Sequence, residues 1–100
     1  MNYKSLGNQF FDELVEKAKS FLRVKKVILF GSFARGDARA KSDIDLAFDF
    51  EDGDWLKFKE WVEEHFRTLR QVDLIDMKEA ERDLLNSIHS EGVVLYERKN

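Results

Sequence analysis

The apolar run Val27-Ile28-Leu29-Phe30 stops at Gly31-Ser32, and Asp43-Ile44-Asp45-Leu46 opens a second run. This pair of runs constrains the fold more than anything else in the chain. The first is all-apolar and short, the mark of a central strand covered on both faces. The second alternates from Asp43 to Phe50 and ends at the turn Glu51-Asp52-Gly53. Two strands of this kind need helices packed on their sheet.

The flanking sequence supplies those helices. From about Tyr3 to Arg23, residues Leu6, Phe10, Phe11, Leu14, Val15, Ala18, Phe21 and Leu22 recur at helical spacing, and Lys25 and Lys26 are expected to break the helix. Asp54 is a candidate N-cap for a second helix with a buried stripe of Trp55, Phe58, Val62, Phe66 and Leu69. Gln71 to Asp76 reads as a third strand. Asp76 and Glu79 fit a capping box for a last helix, which buries Leu84, Leu85 and Ile88 and stops at Gly92, a natural C′ residue. Val93 to Tyr96 is a short fourth strand. The expectation is an α/β domain over residues 1–100, a small mixed sheet of about four strands flanked by helices.

With 100 residues, a net charge of -3 and no cysteine, several function classes drop out. Broad phosphate neutralisation on a nucleic acid calls for a basic chain, so direct nucleic-acid binding is not expected. There is no thiolate metal cluster. No apolar run approaches the ~20 residues that span a bilayer and the N-terminus lacks a signal pattern, so the reading is a cytoplasmic protein without membrane contact.

Residues two apart in a strand share a face. Asp43 and Asp45 therefore project together, roughly 6.5 to 7 Å apart at the backbone. Two like charges beside an apolar strand are unfavourable unless a cation neutralises them or one is protonated. Mg²⁺ suits such a pair, because it takes carboxylates together with phosphate oxygens. A bare Asp-x-Asp is most often a solvated strand start; here the preceding Gly-Ser step and basic loop favour a site. An EF-hand loop is excluded, since Ala47 stands where a third oxygen ligand belongs. Asp73 and Asp76 both lie on the third strand, but parity puts them on opposite faces. Only one can join the pair, and Asp73 is preferred because Asp76 serves as the helix cap.

Gly31 leaves a strand and Ser32 opens a short helix, so backbone N–H groups point toward a bound anion. The Ser32 hydroxyl adds a donor. The spacing of a P-loop is absent. Arg35, Arg39 and Lys41 can each neutralise triphosphate. Arg35 can equally hold a strand carboxylate in place, Arg39 and Lys41 read slightly better as surface residues than as ligands, and Gly36 reads as the end of the short helix. Trp55, Trp61 and Phe66 read as core or interface rather than a base-stacking platform, and His65 and His89 as surface helix residues.

Gly31-Ser32-x-Ala34-Arg35-Gly36 with Ser42-Asp43-Ile44-Asp45-Leu46, Val72-Asp73-Leu74 and the closing Glu91-Gly92-Val93-Val94-Leu95-Tyr96 resembles the minimal nucleotidyltransferases of the DNA polymerase beta-like superfamily. The resemblance spans essentially the whole chain and implies that superfamily's fold. It implies that Gly31, Ser32 and Arg35 bind the triphosphate of ATP, and that Asp43, Asp45 and Asp73 bind two Mg²⁺ ions. Asp73 would also draw the proton from the acceptor hydroxyl. Relatives of this kind are commonly paired with an all-helical HEPN protein and act as its antitoxin. That implies transfer of AMP to a tyrosine of the partner within a hetero-oligomer. Two rival readings remain: an antitoxin that neutralises its partner by contact alone, and a transferase for a small hydroxylated molecule working with a helical substrate-binding subunit.

Overall fold

The computed structural model describes residues 3–66 and 71–99. After a 3-10 turn at Tyr3–Leu6, the order is α1 (Asn8–Phe21), β1 (Leu22–Phe30), α2 (Ser32–Arg35), β2 (Ile44–Gly53), α3 (Trp55–His65), β3 (Val72–Asp76), α4 (Arg82–Glu91) and β4 (Val93–Glu97). The sheet order is β3-β2-β1-β4. β1 runs antiparallel to β2 and β4, and β2 runs parallel to β3. Only the parallel pair needs a crossover, and α3 provides it. The expected small mixed α/β sheet is therefore present.

The two faces of the sheet are covered unequally. Val27 and Leu29 of β1 with Ile44, Leu46 and Phe48 of β2 join Phe11, Leu14 and Ala18 of α1 and Phe58 and Val62 of α3 in the larger core. Ile28, Phe30 and Ala47 turn to the other face, where Ile88 of α4 meets them. Alternation along β2 thus sends its even-numbered apolar residues to α1 and α3. Asp45 and Ala47 fall on the α4 side, and α4 covers only part of it.

Several boundaries differ from the sequence reading. The first helix begins after Gly7, whose φ of +83° interrupts it, and ends at Phe21. β1 starts at Leu22, so Lys25 and Lys26 lie inside a strand rather than at a helix break. Leu22 and Val24 are buried while Arg23 and Lys25 are exposed, which is strand alternation. Lys26 faces Glu97 across the ladder at 3.4 Å, and Arg23 lies 3.5 Å from Glu51. β2 runs on through Glu51-Asp52-Gly53, because Leu22 pairs with Gly53.

Asp54 caps α3 as expected, its side chain accepting a hydrogen bond from the Lys57 N–H at 3.1 Å. Phe58 and Val62 of the α3 stripe are buried; Leu69 lies outside the described residues. The capping box at Asp76 does not form. A turn at residues 77–79 intervenes, Asp76 accepts from the Lys78 N–H at 2.9 Å, and α4 begins only at Arg82. Gly92 follows α4 with φ -70°, not the left-handed C′ geometry. Its glycine is required by space instead, since a Cβ there would meet the Ile28 side chain and the Ile88 carbonyl oxygen.

Candidate active site

β1 and β2 bring the two halves of the early motif into contact. Gly31 leaves β1 with φ +75° and ψ -155°. That region is open essentially to glycine alone. It also lies directly against Asp45: a Cβ on Gly31 would collide with Asp45 Oδ2 and stand 3.2 Å from its Cγ. Ser32 then opens α2, a single turn closed by Arg35 N–H donating to the Gly31 carbonyl at 3.0 Å and Gly36 N–H donating to the Ser32 carbonyl at 2.9 Å. Gly36 ends it with φ +91° in the left-handed region, as expected. Phe33, fully buried, pins the turn to the core. The first N–H groups of a helix have no acceptor within it, and the start of this turn lies beside Asp45.

The loop back to β2 is closed by Ser42. Its Oγ accepts from the Arg39 N–H at 2.7 Å, while its own N–H donates to the Arg39 carbonyl at 3.0 Å. Asp43 follows, exposed, and Asp45 is half-buried one step inside β2. In the parallel ladder Asp45 lies opposite Asp73, and Phe48 lies opposite Asp76. The strand parity that separates Asp73 from Asp76 therefore holds.

The Asp43 and Asp73 carboxylates both act electrostatically on Asp45. Burial pushes the Asp45 carboxyl up to about 6, and the nearby carboxylates of Asp73 and Asp43 add to the rise. A hydrogen bond between Asp45 and Asp73 acts in the same direction, and Arg35 acts against it. Gln71 Nε2 donates to Asp73 Oδ1 at 2.8 Å and fixes that side chain.

The donor set is hard oxygen, of a kind Mg²⁺ accepts. Among the described residues, no group of three or more His, Cys, Asp or Glu side chains is arranged to hold a metal ion unaided. A cation here fits only as Mg²⁺ commonly binds, with carboxylates on one side and substrate phosphate oxygens and water completing the shell. Burial first, and then the Asp73 and Asp43 carboxylates, favour the protonated form of Asp45; a bound cation would favour the charged form.

Arg35 was open to two roles, and the structure shows it engaged elsewhere. Its NH1 donates to Glu91 Oε2 at 2.8 Å and its Nε donates to Asp37 Oδ2 at 3.2 Å. Arg39 and Lys41 are exposed, as expected. His89 is exposed; His65 is exposed too, but its Nε2 lies 2.6 Å from Glu13 Oε1 and its ring stacks on Trp61. Trp55 and Phe66 pack against the main core. Sequence reasoning missed Gln71 and Glu91. Gln71 was within reach, since it shares the parity of Asp73; Glu91 opens the closing motif, but nothing in the sequence pointed from it to Arg35.

No helix among the described residues is long and apolar enough to cross a membrane.

Residues 12–100 match the family model described as polymerase beta, nucleotidyltransferase. Among curated relatives, the chain is 36% identical over 74 residues to "Putative protein adenylyltransferase MJ1379" of Methanocaldococcus jannaschii, covering 66% of this chain and 74% of that protein. A toxin-antitoxin crystal structure with AMP-PNP contains a chain of the same fold (TM-score 0.75, 24% identity, 88% of this chain and 73% of that one). A structure described as that of a putative minimal nucleotidyltransferase matches with TM-score 0.69 and 26% identity, over 93% of this chain and 95% of that one. The fold also recurs in a complex of the tri-AMPylated Shewanella oneidensis HEPN toxin with its MNT antitoxin (TM-score 0.64, 20% identity, 94% of this chain and 72% of that one).

Proposed function

The chain belongs to the polymerase beta nucleotidyltransferase family, and from that membership we propose that it moves AMP from ATP to a tyrosine hydroxyl of a HEPN-type helical partner, acting as that partner's antitoxin. The observation that carries this reading is the gathering of Asp43, Asp45 and Asp73 beside the glycine that turns the chain into α2. Relatives named as protein adenylyltransferases and a neighbour bound to an AMPylated HEPN toxin support the same substrate and partner.

Each residue then has a defined task. The N–H groups at the start of α2 and the Ser32 hydroxyl hold triphosphate oxygens, and Gly31 makes the backbone turn that sets them beside the Asp45 carboxylate. Asp43, Asp45 and Asp73 hold two Mg²⁺ ions, which when bound supply charge neutralisation and Lewis acidity to the phosphates. The acceptor oxygen attacks the α-phosphorus in line, the bond to the pyrophosphate bridging oxygen breaks, and the hydroxyl proton passes to the Asp73 carboxylate. Gln71 holds the other face of that carboxylate still while this happens.

The test is to incubate the protein with labelled ATP, Mg²⁺ and the product of the neighbouring gene, expected to be a HEPN-type protein, and to weigh that partner by mass spectrometry. An AMP-sized increment on a tyrosine, absent with Asp45→Asn, is the expected result. Inhibition of the partner with no added mass would instead identify neutralisation by contact.

A further inference from the structure

Arg35 and Glu91 are 56 positions apart, and their pairing links the first motif of the chain to its last. We infer that Glu91 is a positioning residue for the nucleotide loop: it clamps the loop through Arg35, which therefore does not serve as a triphosphate ligand. The inference rests on the proposed nucleotide site and adds a residue that acts on it from the far end of the chain.

The geometry has three sides. β1 carries Gly31 directly at its end. α4 is fixed against β1, because Gly92 comes so close to Ile28 that no Cβ fits between them. Glu91, the last residue of α4, is thereby held at a set distance from the strand that feeds the loop. Arg35, the last residue of α2, closes the triangle by donating to Glu91 at 2.8 Å. A helix of one turn has almost no stability of its own. α2 is held on one side by the buried Phe33 and on the other by this ion pair.

The guanidinium is also committed on a second edge. Nε donates to Asp37, whose own N–H donates to the Ser32 carbonyl at 3.1 Å. To reach a phosphate, Arg35 would have to leave both carboxylates. Held where it is, its charge still acts on Asp45. Exposed ion pairs usually contribute little to global stability, so the clamp is expected to act locally, on the population of loops already shaped for nucleotide.

The full-length protein with Glu91→Gln, Arg35→Gln and both changes together tests this. Binding of AMP-PNP should weaken roughly three- to five-fold in each single variant and no further in the double. KM for ATP should rise in proportion while kcat stays near wild type, and the swap Arg35→Glu with Glu91→Arg should recover part of the loss. Amide hydrogen exchange at residues 31–36 of the nucleotide-free protein should speed up in both single variants. A phosphate-binding Arg35 gives a different pattern: strong loss in Arg35→Gln, none in Glu91→Gln, or additive losses. Any of these overturns the inference, as does unchanged exchange in Glu91→Gln. Wild-type protein that binds no nucleotide would overturn the proposed function instead, and the exchange measurement would still decide the clamp.

Discussion

The carboxylate of Asp45 occupies the space where a side chain on Gly31 would begin. The early glycine and the later Asp-x-Asp are thus one steric unit. Gly31→Ala is expected to lower stability by about 1–3 kcal/mol, the cost of a non-glycine residue in this backbone region. The carboxylate is a movable end and will swing aside, so its displacement adds little to that figure. Transfer, however, should fall by about 100-fold or more, because Asp45 leaves its neighbours. Denaturant melts paired with transfer assays check both halves; full activity in the alanine variant would separate the two motifs.

Asp45 makes a signed prediction about pH. Its carboxyl is pushed up from the ordinary 3.8 to about 6, first by burial and then by Asp73 and Asp43. Between those values the folded protein holds more protons than the unfolded chain, so stability falls as pH rises from about 4 to about 6 and then levels off. Because the group is half-exposed and screened, the loss should be about 1–2 kcal/mol. Asp45→Asn should remove this slope and, without metal, be more stable than wild type at neutral pH. Glu51, held low by Arg98, contributes with the opposite sign in both proteins and cancels in the comparison. Equal slopes in metal-free urea melts at pH 4 and pH 7 would refute the account.

Asp73 and Gln71 should separate in kinetics. Asp73→Asn removes the proposed proton acceptor and should cost about 100-fold or more in kcat. Gln71→Leu removes only the hydrogen bond that orients it, and about ten-fold is expected with little change in KM for ATP. Steady-state assays at saturating Mg²⁺ decide this; a wild-type rate in Gln71→Leu would show that Asp73 needs no such support.

Gly92→Ala tests the seat of α4. Its φ of -70° suits any residue, so the penalty comes from overpacking against Ile28 and the Ile88 carbonyl. A loss of about 1–3 kcal/mol is expected, which for a chain of this size lowers the melting temperature by roughly 4–8 °C per kcal/mol. A calorimetric scan measures it, and an unchanged melting temperature would mean that α4 is not fixed by this contact.

The order of helices and strands along the chain and the shared parity of the carboxylates were legible because both follow from periodicity. A period of two put Asp43 beside Asp45 and separated Asp73 from Asp76. The same period was present in Leu22-Arg23-Val24-Lys25, but Phe21 and Leu22 also continue the helical spacing, so the start of β1 was hidden by residues that satisfy both patterns. Asp76 and Glu79 satisfied the capping-box spacing, yet Asp76 turns the chain locally and α4 starts later. Contacts between distant segments left no trace in local spacing. The partner of Arg35 depends on where α4 comes to rest, and that is set by a glycine at its end rather than by any motif near the arginine.

β2 and β3 are joined through α3 and meet only as parallel neighbours. A nascent polypeptide that has emerged only through β2 already carries the turn at Gly31 and two of the three proposed carboxylates, but it lacks Asp73, the partner of Asp45 in the parallel ladder. The proposed reaction centre is divided across the order of synthesis. A product stalled before β3, or a fragment cleaved between α3 and β3, is expected to be inert until its missing half docks. Two such fragments mixed in solution would report, through recovered transfer, that the parallel pair had closed.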